Sequence, residues 1–319
     1  APMPSVGVVL GAGGIVGAAY HAGVLAALAE AGFDARDADL IVGTSAGAAV
    51  GATLRAGFPA ADLAARNLGE PISDTAAAII GITGDPPALD LRPRPFSRAP
   101  LPSSPKLLFR SARHPTKALI GLLPAGTITT DIIGERISLM YGNRTWPDLP
   151  LWVCAVDLEH GKRVVFGRDA PDPSIGLAVQ ASSSIPGFFR PVEHDHRRYV
   201  DGGAHSPTNA DLVAEALFDV VVIVSPMSAT RLAHRSLIPN ARPMHARRLA
   251  NEVNRIRRAG THVLTFQPTP DVVLAMGRNS MDPSRRAATT TAALVSARKR
   301  LSDPRVAARL GLLREASKA

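Results

Sequence analysis

Cysteine, aromatic residues and acidic charge are all scarce in this chain of 319 residues. The only cysteine is Cys154, so no intrachain disulfide can form and nothing demands an oxidising compartment. It lies in the apolar run 151–156 and reads as a buried core filler. Aromatics make up 4% of residues, and no helix-turn-helix, RNP or zinc-finger spacing occurs. The stacking platforms that accompany basic nucleic-acid grooves are therefore missing, and nucleic acid is not the expected partner. The net charge of +9, from 36 Lys and Arg against 27 Asp and Glu, suits an anionic membrane surface better. His-Glu-x-x-His and Cys/His clusters are also lacking, so no metal or other cofactor is expected. No internal repeat is present, and nothing in the sequence speaks to oligomeric state.

What is present is a large apolar fraction, 46%, enough for a sizeable core. Strand patterns fall at 6–10, 39–43, 151–157, 163–166, 198–200, 220–225 and 262–267. Several are unbroken Val/Ile runs, which suit strands covered on both faces by helices. Helical patterns fall at 16–31, 45–56, 60–68, 131–141, 174–183, 209–217, 244–258 and 283–301. Strands alternating with helices, without a long polar linker, predict a three-layer α/β/α sandwich in a single domain over 1–319, with C-terminal helices and one strand in 241–319. The helix at 244–258 is amphipathic, with Leu249, Val253 and Ile256 opposite Arg247, Arg248, Arg255, Arg257 and Arg258. A solvated arginine face is its expected role, with membrane contact as the alternative.

Between 71 and 125 the alternation stops, and Pro86, Pro87, Pro93, Pro95, Pro100, Pro102, Pro105, Pro115 and Pro124 crowd together. So much proline excludes a regular helix or central strand through most of the segment. Arg92, Arg94, Arg98, Lys106, Arg110, Arg113 and Lys117 are interleaved there with Leu91, Phe96, Leu101, Leu107, Leu108 and Phe109. This is the composition of a cap, lid or interfacial docking surface, or of a solvated basic loop. The apolar stretch 6–28 resembles a signal sequence or membrane span in hydropathy alone. Glycines and a strand-to-helix turn interrupt it, and no basic segment precedes it. The expected location is cytoplasmic or peripheral to a membrane, and a start at Ala1 rather than methionine leaves room for an upstream segment that has been removed.

The chemistry concentrates in three places. Gly43-Thr44-Ser45-Ala46-Gly47 follows the apolar run Leu40-Ile41-Val42 and precedes a small-residue helix. A strand turning sharply into a helix through two glycines lifts the serine out of the sheet edge and aims it at a helix N-terminus. The second place is Gly11-Ala12-Gly13-Gly14-Ile15-Val16-Gly17, a glycine turn between a β-branched strand and an apolar helix, where several N–H groups converge on one point. The third is Arg198-Tyr199-Val200-Asp201-Gly202-Gly203, a short strand ending in a carboxylate followed by two glycines. His205, four residues on, reads as a turn histidine, His21 as a buried one, and Asp157 as either a strand-end turn residue or part of a site.

Together with Ala181-Ser182-Ser183-Ser184-Ile185-Pro186-Gly187-Phe188-Phe189-Arg190-Pro191-Val192, these segments resemble the patatin-like phospholipases, lipid acyl hydrolases with a Ser–Asp dyad, over about 6–213. The resemblance implies Ser45 as nucleophile, Asp201 as its general base, and the turn of Gly11, Gly13, Gly14 and Ile15 as the oxyanion hole. It also places Gly43 and Gly47 at the nucleophile elbow, and Gly202 and Gly203 in the Asp-Gly-Gly motif. The implied substrate is a lipid or other acyl ester. Family members commonly carry a third glycine where this chain has Ala12, and a basic residue where it has Val16. Two other readings are a lipid-binding module with a residual site and an NAD(P)-type dinucleotide-binding protein. The latter expects an acidic residue at the end of the second strand, where Gly43-Thr44-Ser45 stands instead.

Overall fold

Unbroken Val and Ile runs become the strands that the chain buries deepest. The computed structural model describes residues 3–84, 102–105, 107, 120–169, 173–230 and 241–317. β1 (Val6–Leu10) leads through the glycine turn into α1 (Gly14–Glu30), and β2 (Leu40–Thr44) into α2 (Ala46–Arg55), α3 (Ala60–Leu68) and α4 (Asp74–Thr83). Then come α5 (Asp131–Tyr141), β3 (Leu151–Asp157), β4 (Lys162–Phe166), α6 (Ile175–Ser182), β5 (Val192–His194), β6 (Arg197–Asp201) and β7 (Val220–Val224). The described chain ends with α7 (Arg242–Arg258), β8 (His262–Phe266), α8 (Pro270–Met276), α9 (Arg286–Leu301) and α10 (Ala307–Ala316).

All of these strands join one sheet in the order β5-β6-β3-β2-β1-β7-β8, with β4 paired to β3. Neighbours among β1, β2, β3, β7 and β8 are parallel, whereas β4, β5 and β6 pair antiparallel. Side chains alternate between faces along a strand. Val8, Leu10, Ile41, Val153 and Val222 therefore pack on one side with Leu25, Leu28, Val50, Val179 and Leu313. Val9, Val42, Val221 and Ile223 pack on the other with Leu212, Val213, Leu249, Val253 and Ile256. The result is an α/β/α sandwich. Burial of Leu249, Val253 and Ile256, about 1.5 to 3 kcal/mol each, holds α7 on the sheet. Its arginines 247, 248, 255, 257 and 258 stay exposed, so the helix needs no lipid contact to be placed. No helix among the described residues is long and apolar enough to cross a membrane.

The chain departs from its periodicity in several places. The expected helix at 209–217 is only a 3₁₀ turn, Ala210–Ala214. Asn209 sits at φ 51°, and the Ala210 N–H is taken by the Glu252 carboxylate at 3.3 Å, so tertiary partners replace the i−4 carbonyls. α4 lies at the start of 71–125, ahead of the prolines that exclude a helix through most of that segment. Its residues are proline-free, and Ser73 caps it by accepting from the Ala76 N–H at 3.3 Å. β5 escaped notice because it has three residues and turns through Asp195 and His196 at φ 48° and 57°, without the glycine that usually marks such a turn. α8 and α10 were likewise not anticipated. Of the basic and apolar residues in the proposed cap, only Leu107 is described, buried against Ile120, Val156 and Val200. Arg92, Arg94, Arg98, Lys106, Arg110, Arg113, Lys117, Leu91, Phe96, Leu101, Leu108 and Phe109 lie outside the described residues.

Candidate active site

Strand register explains why Ser45 and Asp201 meet. β4 occupies one edge of β3 along Val153–Phe166 to Asp157–Lys162 pairs. The other edge is shared: β2 pairs along the first half of β3, with Thr44 opposite Cys154, and β6 along the second half, with Asp201 opposite Ala155. β2 and β6 run in opposite directions, so their C-terminal ends converge there. Ser45, one residue beyond Thr44, thus arrives beside Asp201. Both are 4% exposed, and the Ser45 side chain stands close enough to the Asp201 carboxylate to favour its charged form. The Gly203 N–H also donates to Asp201 Oδ1 at 2.7 Å.

The elbow is sharp. Ser45 lies at φ 54° and ψ −119°, outside the helix that starts at Ala46. Gly47 brings α2 directly onto the end of β1, where a Cβ would stand 2.0 Å from the Leu10 carbonyl oxygen. Gly43 faces Ala48, and Gly202 faces the Cys154 carbonyl, in comparably close approaches. The serine-rich stretch ties the pair from behind. Ser45 N–H donates to Ser182 Oγ at 2.8 Å, Ser182 Oγ donates to the Cys154 carbonyl at 2.6 Å, and Asp201 N–H donates to the Ser184 carbonyl at 2.9 Å.

The glycine turn divides its donors between structure and site. Gly11 N–H is spent on the Val224 carbonyl at 2.9 Å and Ala12 N–H on that of Pro207 at 2.7 Å. Gly11 is thereby corrected from oxyanion donor to structural anchor. Val16 and Gly17 are likewise engaged, with Ser280 and Gly13. Among the described residues the N–H groups of Gly13, Gly14 and Ile15 have no acceptor, and Gly14 and Ile15 line a cleft with Ser45. Gly14 takes φ 63°, and a Cβ there would meet Ser280 O and Met281 Sδ at 2.8 Å. The N–H of Ala46, the residue after the serine, is also without an acceptor among the described residues. His21 is wholly buried, which lowers its pKa to about 4 and keeps it neutral. Its Nε2 donates to the Gly11 carbonyl at 2.7 Å, fixing the turn from α1.

Among the described carboxylates Asp201 stands apart. Burial pushes its carboxyl up to about 6, against the opposing influence of the nearby Ser45 side chain and the Gly203 N–H. Ser45 opens on two cavities. One of about 780 Å³ is walled by Ile15, Val50, Leu63, Ile133 and Phe189. Another of about 540 Å³, which Asp201 also lines, is walled by Ile120, Leu123, Ile185, Met227 and Met276. Asp157, by contrast, is a turn carboxylate, accepting from Glu159 N–H and His160 Nδ1 at 2.8 Å each. Burial raises the Cys154 thiol to about 12, leaving it inert.

One buried side chain with no motif to mark it holds the two halves together. Asn209 Nδ2 donates to Thr44 Oγ1 at 3.0 Å and to the Ser206 carbonyl at 2.7 Å, joining the nucleophile strand to the loop after Asp201. Asn209→Ala removes these bonds and puts alanine at φ 51°. Urea denaturation is expected to show a loss of about 2 to 4 kcal/mol.

Fold and site together define an α/β protein with a buried serine and aspartate at the convergence of two strands. The family model described as Patatin-like phospholipase matches residues 8–214, and the chain belongs to that family. Membership implies lipid acyl hydrolase activity. The chain is also similar to VipD from Legionella pneumophila, at 16% identity and TM-score 0.40, covering 94% of this chain and 67% of that one. The type III effector protein ExoU is similar at 16% identity and TM-score 0.35, covering 95% of this chain and 54% of ExoU.

Proposed function

We propose that this chain is a serine carboxylic ester hydrolase, of phospholipase A, lysophospholipase or lipase type, acting through a Ser45–Asp201 dyad. The observation that carries it is the convergence of a buried serine at positive φ with a buried carboxylate whose pKa is raised to about 6. A carboxylate near its usual 3.9 is a poor base for an alcohol, and desolvation narrows that gap.

Asp201 takes the proton from Ser45 Oγ as that oxygen attacks the ester carbonyl. The tetrahedral oxyanion is met by the N–H groups of Gly13, Gly14 and Ile15, where one such donor is worth about 3 to 4 kcal/mol. Collapse breaks the ester C–O bond, and the leaving alkoxide takes the proton from Asp201. Water then attacks the acyl-serine, giving a proton to Asp201, which returns it to Ser45 as the fatty acid leaves. The apolar walls around Ser45 favour an alkyl chain over a polar acyl group.

Hydrolysis of p-nitrophenyl esters of rising chain length tests this reading. kcat/KM is expected to climb from acetate to octanoate by about tenfold or more, since each buried CH₂ is worth about 0.8 kcal/mol. A flat or falling series would argue against a lipid acyl substrate.

A further inference from the structure

A second buried carboxylate stands behind the site and takes no part in the chemistry above. Glu252 lies on the buried face of α7, among Leu249, Val253 and Ile256. Its Oε1 accepts from Ser206 Oγ at 2.6 Å, and its Oε2 accepts from Thr208 Oγ1 and, at 3.3 Å, from the Ala210 N–H. Arg248 approaches Oε1 from the solvent side at 3.7 Å, beyond hydrogen-bond range. A buried carboxylate is costly unless its oxygens are well bonded, and these three donors all come from one segment, 206–210.

That segment bridges the base and the oxyanion turn. At its start the Gly202 carbonyl, next to Asp201, accepts from the His205 N–H at 3.0 Å and the Ser206 N–H at 3.1 Å. At its middle the Pro207 carbonyl accepts from the Ala12 N–H at 2.7 Å, which sets the turn that presents Gly13, Gly14 and Ile15. Gly11 packs on the same stretch, where a Cβ would stand 3.1 Å from Pro207 O and 3.3 Å from Thr208 Cγ2. Proline has no N–H with which to anchor its own peptide. The two hydroxyls that Glu252 holds flank it, so the carboxylate grips the loop on both sides of the carbonyl that carries the turn. Arg163 secures the far end, through Asn209 Oδ1 at 3.1 Å and Asp211 at 2.7 and 2.9 Å. We propose that Glu252 is a positioning residue, which by clamping Ser206 and Thr208 fixes Pro207 and thereby the placement of the oxyanion turn relative to Asp201. Its effect on catalysis rests on the hydrolase reading above, whereas its hold on the turn does not.

Two measurements on the full chain test this. One is hydrogen exchange at the Ala12 amide by NMR, taken relative to the β1 amides so that a change in global stability cancels. The other is kcat and KM on p-nitrophenyl octanoate. Three variants are compared with the wild type. E252Q keeps the side-chain volume but replaces one acceptor oxygen by an N–H₂ donor, so at least one loop donor loses its partner. T208V removes one hydroxyl from the loop side, and carries the test if E252Q does not fold. V253A opens a hole in the neighbouring α7 core without removing a loop hydrogen bond. In E252Q and T208V the relative exchange at Ala12 is expected to rise about tenfold or more. Their kcat is expected to fall roughly tenfold to a hundredfold with KM within about twofold, because the oxyanion donors are displaced from the reacting carbonyl. The two losses should not add in the double variant, since each breaks the same clamp. V253A is expected to melt lower and yet keep kcat and relative exchange near wild type. An equal kcat loss in V253A would make Glu252 a stability residue alone and overturn the proposal. Unchanged Ala12 exchange in E252Q and T208V, or a kcat that stays within about twofold of wild type, would overturn it as well. A wild type inert toward the ester, with the exchange difference intact, would sink the hydrolase reading and leave the clamp on the turn standing.

Discussion

Ser45→Ala is expected to lower kcat/KM on a medium-chain p-nitrophenyl ester by about four orders of magnitude or more, to the background rate. Loss of the attacking oxygen leaves only binding and the amide donors, which do little without a nucleophile. The fold should be untouched, because Ser45 is held through its backbone N–H by Ser182 Oγ, a bond that alanine keeps. Ser45→Gly sharpens the test. The φ of 54° costs a residue with a Cβ about 1 kcal/mol or more, so the glycine variant is expected to be equally inactive yet to melt higher than the wild type. Such a pattern, stability gained as activity vanishes, marks strain stored at a working residue rather than a damaged fold. Activity within tenfold of wild type in either variant would remove Ser45 from the mechanism.

The parts of the fold written in local sequence were legible, and those written in tertiary contact were not. Val6–Leu10 and Val220–Val224 announce themselves as buried strands because every residue is apolar and most are β-branched. Gly43 and Gly47 announce the elbow because only glycine tolerates the approach of α2 to β1. Asp201 could be joined to Ser45 only through family resemblance, since nothing local says that β6 will end against β3 where β2 ends. A glycine turn shows where amide donors gather but not which are already spent, so Gly11 looked equivalent to Gly13 until Val224 claimed its N–H. Ser182 is visible in the sequence only as part of the family stretch and Asn209 only as the start of a helical pattern, because their value lies in what they reach, the Ser45 amide and Thr44 hydroxyl.

Asp201→Asn is expected to cost about three to four orders of magnitude in kcat/KM, the scale seen when a buried carboxylate that supports a serine nucleophile loses its charge. The same change should stabilise the protein at neutral pH, for a reason that follows from its titration. The folded carboxyl has a pKa of about 6, above the roughly 3.9 of an unfolded aspartate, so the folded state holds this proton more tightly. The residue's contribution to stability is therefore most favourable below about pH 4 and declines as pH rises through about 6, leaving a cost of up to about 3 kcal/mol at neutral pH. Asparagine does not titrate and can still accept from the Gly203 N–H through its carbonyl oxygen. The variant should accordingly melt higher than the wild type at pH 8, with the difference shrinking toward pH 4. Wild-type kcat/KM should follow the mirror image of this stability loss, rising with pH through about 6 as the base sheds its proton. Melting curves and rate profiles over the same buffers test both limbs. A wild type without an inflection near pH 6, or an asparagine variant that melts lower at pH 8, would mean that Asp201 is an ordinary solvated carboxylate. The dyad would then lack the desolvated base that its chemistry requires.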